Sequence, residues 1–474
     1  MKTESPEQDR GDELMKPPFI ENGLFRKGEA LGELLVRPFH AFASRQASSG
    51  VLILLASGLA VVWVNSPFNH SYELLWESVL KLGIGDWSFE KTLHFWVTDG
   101  LMTVFFFVVG LVIKREILVG ELASFRKAAL PIVAALGGML VPALIYSVFN
   151  WGSPLQRGWA IPMATDIALT LGALTLLRSR VSHSLVVFVA ALAIVDDLGA
   201  VVVIAVFYTA DISIYYLQLS GLIVVSLAAA NVLGFRSPIP YMILGILLWV
   251  TIYLSGVHTT IAGVLLAMTT PARSAYDTDT FLVRSRSVLN EFECAGSCGY
   301  SVYTNENHQA AIQTLEGACH GVLPPLLRIE SALHPWVVFL IVPLFGIANA
   351  GVHIEWAALG KTFTSPLSLG IIIGLFVGKP VGVFAAVWLA VKTGFGAFPT
   401  GTTWRQIYGG ATLCGIGFTM SLLIAHLAFH GAPVFDESKM SIFLGSLCSA
   451  VVGMAILYWA PERTVGETRS YDRG

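Results

Sequence analysis

Four charged residues stand in stretches that otherwise exclude charge. Asp166 lies in Ala164-Thr165-Asp166-Ile167-Ala168. Asp196 and Asp197 lie side by side in Ala193-Ile194-Val195-Asp196-Asp197-Leu198-Gly199-Ala200. Lys379 lies in Val377-Gly378-Lys379-Pro380-Val381. The run from Leu185 to Tyr208 carries no charge besides the acidic pair. An ionised side chain at the bilayer centre costs at least about 2.5–3.5 kcal/mol, so such residues mark ion paths or proton relays by default. Carboxylate oxygens are hard ligands suited to hard cations. Burial and a neighbouring like charge favour the protonated form of a carboxylate. A group of this kind can therefore hold a proton or a cation in turn, and not both well. Adjacent helical residues point about 100° apart. One of Asp196 and Asp197 can thus face an ion path while the other faces a neighbouring helix. Lys379 needs an anionic partner if it is buried, and Asp166, Asp196 and Asp197 are the available anions.

Two interrupted helices are expected around these charges. Pro162 removes a backbone donor shortly before Asp166 and disturbs the helix there. The amides and carbonyls so freed can face an ion, and an acid at such a break also compensates a helix N-terminus. Asp166 therefore has a capping reading beside the ligand reading. The second break is expected in Cys414-Gly415-Ile416-Gly417-Phe418-Thr419-Met420-Ser421. Gly409, Gly410, Gly415 and Gly417 loosen that helix, and Thr419 and Ser421 can satisfy freed backbone groups. Glycines also permit tight helix packing.

The elements that carry these residues belong to a membrane. Of 474 residues, 55% are hydrophobic and 13% charged, with a mean hydropathy of +0.69. An ordinary soluble domain carries about 25% charged residues. The net charge of -3 gives no basic surface for nucleic acid. Spanning helices need about 20 mostly apolar residues. Twelve are expected, near 46–65, 92–113, 126–149, 157–178, 184–209, 213–231, 238–255, 258–270, 332–352, 366–391, 404–430 and 438–460. The seventh and eighth are short and meet at Ser255-Gly256-Val257-His258. Residues 1–45 are polar, without the short apolar segment of a secretory signal. With both termini cytoplasmic, the outside loops hold only Lys81, Lys91, Arg157, Lys361 and Lys439, as the positive-inside rule requires. The Asp166 helix is the middle of three (126–209), and the glycine-rich helix is the middle of another three (366–460). Corresponding broken segments in two halves point to a transporter binding site.

Together these stretches resemble the NhaA family of sodium/proton antiporters. Further matching stretches are Gly256-Val257-His258, Leu333-His334-Pro335-Trp336 and Phe345-Gly346-Ile347-Ala348-Asn349-Ala350-Gly351. The resemblance runs from about residue 46 to 460, with gaps. It implies an all-α polytopic fold of about twelve transmembrane helices with inverted repeats and two broken, crossed helices. It implies that Asp197 binds Na+ with Asp196 beside it, that Lys379 pairs with Asp196, and that Asp166 and Thr165 sit at the crossing. Asp99 matches an acid near the path, with Gly415 and Gly417 supporting the second break. Lys114, Arg115, Glu116, Glu330 and His334 match a cytoplasmic pH-responsive cluster. The family often has an acid where Val112 stands and a histidine where Ser331 stands, so this cluster departs from the family's pattern at both positions. His258 can titrate near neutral pH, and a structural role at its turn is the favoured reading. The implied activity is secondary transport, not catalysis: electrogenic exchange of internal Na+ (and Li+) for external protons. No cofactor and no soluble small-molecule substrate is expected. The setting is the bacterial inner membrane, and the role is pH and sodium homeostasis.

Three features stand outside that site. Residues 82–89 read as a small β-hairpin, with a plain loop as the alternative; the segment resembles the family's dimer contact, so a homodimer is expected. Residues 272–330 form a long polar cytoplasmic insertion, absent from compact members. It divides the transmembrane domain into 46–271 and 331–460, and a tail, 461–474, follows. Cys294, Cys298, Cys319, His308 and His320 match no standard zinc spacing, and free thiols are the expected reading. Two rivals remain: a sodium-coupled organic-anion symporter, which would need an organic cavity, and a sensor on a transporter frame, which would lack the acidic pair.

Overall fold

The computed structural model describes residues 46–84, 87–209, 212–274, 276–294, 305–353, 360, 364–429, 432 and 434–460. The expected terminal tails, Lys361 and Cys298 lie outside the described residues.

Among the described residues the chain is helical apart from one hairpin. It begins with α1 (Gln46–Val64) and α2 (Asn69–Glu77), bent 113° from each other. The hairpin β1 (Val79–Ile84) and β2 (Trp87–Thr92) pairs antiparallel from Val79 opposite Thr92 to Ile84 opposite Trp87. There follow α3 (Leu93–Val119) and α4 (Phe125–Phe149), then a tight 3-10 stretch, Pro154–Met163, which leads into α5 (Ile167–Leu176). Next come α6 (His183–Phe207), α7 (Ile214–Val232), α8 (Pro238–Leu254) and α9 (Thr260–Thr269). The polar helices α10 (Thr278–Cys294) and α11 (Glu306–Val322) pack on each other. Last are α12 (Pro325–Ala350), α13 (Pro366–Lys392), α14 (Trp404–Leu413), α15 (Phe418–Phe429) and α16 (Val434–Tyr458).

Among the described residues, eight helices are long and apolar enough to cross a membrane, or up to ten if each bent pair forms one span. The bent pairs are α1 with α2 and α14 with α15, the latter at 44°. The shorter apolar helices are α8 and α9. The chain is thus a multi-pass membrane protein. Large apolar side chains such as Leu55, Leu144, Val225 and Ile246 are exposed on the helices, as expected where the surrounding solvent is lipid.

Small residues set a close helix contact near the charges. A Cβ on Gly382 of α13 would lie 2.9 Å from the Gly137 carbonyl carbon and from Val141 Cβ on α4. Only glycine lets these backbones approach so closely. A widened π-helical turn, Gly374–Gly378, immediately precedes Lys379. A similar turn, Trp96–Leu101, contains Asp99. Such turns shift side chains off the regular helical register and recur at functional sites.

The polar segment begins with an ordinary helix cap. The Thr280 hydroxyl and amide hold the Asp277 carboxyl below the usual carboxylate range. The helix expected to start near 332 begins earlier, at Pro325, because proline is well suited to the first helical turn.

Candidate functional site

The two breaks face each other, and their backbone groups are exchanged. After Met163 the chain runs extended through Ala164 to Asp166 before α5 starts. The Thr165 hydroxyl donates to the Cys414 carbonyl at 2.8 Å, and the Asp166 amide donates to the Ile416 carbonyl at 2.7 Å. The Thr170 hydroxyl donates to the Leu413 carbonyl at 3.1 Å. The end of α14 thus finds its missing donors in the first broken segment. In return, Ser421 of α15 donates its hydroxyl to the Ile161 carbonyl at 2.7 Å.

Asp166 caps two helices at once. Its Oδ1 accepts from the Leu169 amide of α5 at 3.0 Å. Its Oδ2 accepts from the Thr419 amide at 3.1 Å and the Thr419 hydroxyl at 2.6 Å, in the first turn of α15. One carboxylate therefore compensates the positive ends of both half-helices. The Ser446 hydroxyl completes the α15 end by accepting from the Gly417 and Phe418 amides at 3.3 and 3.2 Å. The sequence reading missed Ser446, and it missed Thr419 as the partner of Asp166. Ser446 is one of four serines in α16, and nothing in its neighbours singles it out.

Gly415 and Gly417 stand in the break between α14 and α15 and also let neighbours approach closely. A Cβ on Gly415 would stand 2.6 Å from Ser449 Oγ, and one on Gly417 would stand 2.9 Å from Leu375 Cδ2. Neither residue has a positive φ.

Lys379 reaches into this junction. It is fully buried, and its Nζ donates to Asp196 Oδ2 at 2.5 Å and also to the Met163 carbonyl. Of the three candidate anions the ammonium meets Asp196. The Met163 carbonyl is a second partner that the sequence did not signal. It lies where the 3-10 stretch ends, so the cation also faces a negative helix terminus.

Asp197, the next residue on α6, is 1% exposed. Neither of its carboxylate oxygens has a hydrogen-bond partner among the described residues, and Asp196 Oδ1 likewise has none. Asp197 lies within electrostatic reach of Asp196, Asp166 and Lys379. Unpaired polar atoms of this kind are rare in folded interiors and call for an explanation in function. The oxygens gathered here belong to carboxylates, the Thr165 hydroxyl and backbone carbonyls. That donor set suits a hard cation.

The remaining candidates form two other groups. Asp99 Oδ1 accepts from the Thr259 hydroxyl at 3.0 Å and lies 3.7 Å from His258 Nε2. His258 Nδ1 is 2.7 Å from the Thr260 hydroxyl. The contacts of Asp99 thus run to the start of α9 rather than to the acidic pair. Arg115 bonds Glu330 at 2.6 Å and lies 3.7 Å from Glu116. His334 stands one turn beyond Glu330 on α12. Lys114 turns elsewhere: its Nζ donates to the Met268 and Thr270 carbonyls at 2.6 Å, closing the C-terminal end of α9. His308 lies against Phe292, with ring centroids 4.3 Å apart, between the two polar helices.

The chain is similar over most of its length to known antiporters. A family model described as Na+/H+ antiporter 1 matches residues 40–457. The Na(+)/H(+) antiporter NhaA of Koribacter versatilis is 46% identical over 427 residues, covering 90% of this chain and 92% of that protein. The Na(+)/H(+) antiporter NhaA of Oleidesulfovibrio alaskensis is 48% identical over 423 residues, covering 89% and 94%.

Proposed function

The chain belongs to the Na+/H+ antiporter 1 family, whose NhaA members are secondary transporters without a cofactor, and from that premise we propose that Asp197 is the site where Na+ and H+ compete. One observation carries this reading: a buried carboxylate with both oxygens unpartnered among the described residues, next to a second carboxylate already held by a lysine. Asp197 is the base of the site, and Asp196, Asp166, Thr165 and freed carbonyls are within its surroundings. Sodium and the proton bind the same oxygens, so each displaces the other, and that competition couples their fluxes.

The two broken segments cross at Asp166 and Thr165 in this reading. Counting α8 and α9 as spans beside the ten brings the crossings to twelve. The helices 126–209 and 366–460 form a bundle that rocks against the rest of the protein and exposes Asp197 to each side in turn. The Lys379–Asp196 pair supplies a second proton-carrying group. Two protons per sodium move net charge, so the membrane potential drives protons inward and sodium outward. Lithium is accepted as well, since an oxygen site separates it weakly from sodium. The protein serves sodium and pH homeostasis in the bacterial inner membrane, with both termini cytoplasmic. The pair β1–β2, whose Lys81 and Glu90 bridge at 2.9 Å, is the homodimer contact. The polar helices α10 and α11 belong to a cytoplasmic element. Arg115, Glu116, Glu330 and His334 adjust the exchange to pH, and Lys114 supports them by fixing α9.

Everted vesicles carrying the protein test the reading through the pH change that added sodium evokes. Asp197→Asn keeps the size and removes the charge, and both exchange and sodium binding to the purified protein are expected to vanish. Thr165→Ala weakens sodium affinity while exchange persists at high sodium. Asp196→Asn keeps some cation binding and moves less charge per cycle on a solid-supported membrane. Exchange by Asp197→Asn at near-normal rates would make the assignment wrong.

A further inference from the structure

Two histidines outside the acidic site face each other across the boundary between the proposed moving bundle and the rest. His94 stands at the beginning of α3, two residues after β2, and His426 stands in the last turn of α15. Their ring centroids are 5.1 Å apart and their planes are tilted by 45°. Both are half-buried, and His94 follows the hairpin closely in the chain. Phe435 packs on His426 with centroids 5.8 Å apart and forms an apolar wall beside the pair.

That spacing is one that a shared metal ion allows. With zinc–nitrogen distances of about 2.0–2.1 Å, a tetrahedral angle and a ring centre about 1.1 Å behind the nitrogen, two coordinated imidazoles have centroids about 5.2 Å apart. Among the described residues no group of three or more His, Cys, Asp or Glu side chains is placed to hold a metal. Among the described residues a metal here would have these two ligands, with water in its remaining positions. Such a site is exchangeable, unlike the closed four-ligand sites that hold a fold together.

We propose that His94 and His426 bind a zinc-class divalent cation from the hairpin side of the membrane and that the bound metal arrests exchange. The arrest follows from where the two ligands stand. His426 rides on α15, the half-helix whose first turn is held by Asp166. His94 rides on α3, outside the helices 126–209 and 366–460. A metal bonded to both fastens the bundle to its surroundings, and rocking then requires a metal–nitrogen bond to break. This consequence rests on the transport reading given above, whereas the binding itself does not.

The test uses the full-length purified protein, first in detergent and then in proteoliposomes, with Zn2+ as the probe. Calorimetry is expected to show one zinc per chain, and X-ray absorption at the zinc edge is expected to show two imidazole nitrogens. In proteoliposomes, saturating zinc on the hairpin side slows sodium-driven proton movement at least tenfold. His94→Ala and His426→Ala each raise the zinc concentration needed for that slowing at least tenfold. Fewer than two imidazoles in the absorption spectrum of the unaltered protein, or equal zinc sensitivity in either variant, would overturn the proposal. The spectrum needs no variant to fold, and it stands even where the protein shows no sodium-driven exchange. Absence of exchange therefore counts against the transport reading and leaves the metal site to be judged by its ligands. Zinc bound by both imidazoles without slowing would refute the fastening.

Discussion

Removing the ammonium of Lys379 is the most informative single perturbation of the core. Both members of the pair are shut away from solvent, with 0% side-chain exposure on each side of a 2.5 Å contact. Asp196 Oδ1 has no partner among the described residues, so Lys379→Ala strips Oδ2 of its ammonium and leaves the carboxylate without a counter-ion. Breaking a buried pair from one side costs about 3–5 kcal/mol, because the remaining charge is neither solvated nor paired. At 1.4 kcal/mol per decade that is roughly two to four decades in the ratio of folded to unfolded protein. Removing both partners behaves differently, since no isolated charge is left. Lys379→Ala combined with Asp196→Asn is therefore expected to be more stable than Lys379→Ala alone, with a coupling of about 1–3 kcal/mol. Unfolding of the four purified proteins in one detergent, followed by tryptophan fluorescence, completes the double-mutant cycle. If the double variant loses as much stability as the two single variants added together, the pair is not a coupled unit and the reasoning fails.

Three further outcomes follow from the same geometry. Asp166→Asn keeps only one acceptor oxygen for two helix ends, so it should lower stability by about 1–2 kcal/mol and depress exchange, read by unfolding and vesicle assays together; unchanged stability would show that the double cap is dispensable. Gly382→Ala forces α13 away from α4 at the Gly137 backbone and should cost about 1–3 kcal/mol, whereas Gly58→Ala, with nothing within 4 Å of the new Cβ, should match or slightly exceed the parent in melting temperature. Replacing 277–325 by a short flexible linker should leave exchange measurable, because the Leu326 amide already meets the Pro271 carbonyl at 3.1 Å and brings the flanks together; complete loss at normal membrane levels would show that α10 and α11 take part in transport.

Much was legible before any coordinates, and the reason is the cost of charge in hydrocarbon. Asp166, Asp196, Asp197 and Lys379 could be singled out because an apolar run tolerates a charge only where something offsets it. The hairpin at 82–89 was visible from a turn between alternating residues, and both interrupted helices were visible from proline, glycine and hydroxyl residues. Their detail was less so. Pro162 suggested a break around itself, yet the chain continues in 3-10 turns through Met163 and opens only at Ala164–Asp166. The helix α2 carries too much polarity to read as a span and was passed over, as was its sharp bend from α1.

What the residues alone established is which groups need partners; which partner each one takes was decided by the tertiary structure. Three anions were open to Lys379, and the family resemblance, not the local sequence, pointed to Asp196. In the structure the 2.5 Å contact to Asp196 is joined by the Met163 carbonyl, 216 positions away in the chain. The Thr419 amide and hydroxyl find Asp166 across 253 positions. The pairing of His94 with His426 is equally invisible from either residue's neighbours. The physical reason is common to all of them. The cost of burying a charge or a freed backbone group is local, set by the residue and its apolar surroundings, so it is written along the chain. The compensation is a distance between helices, and it exists only once they have packed.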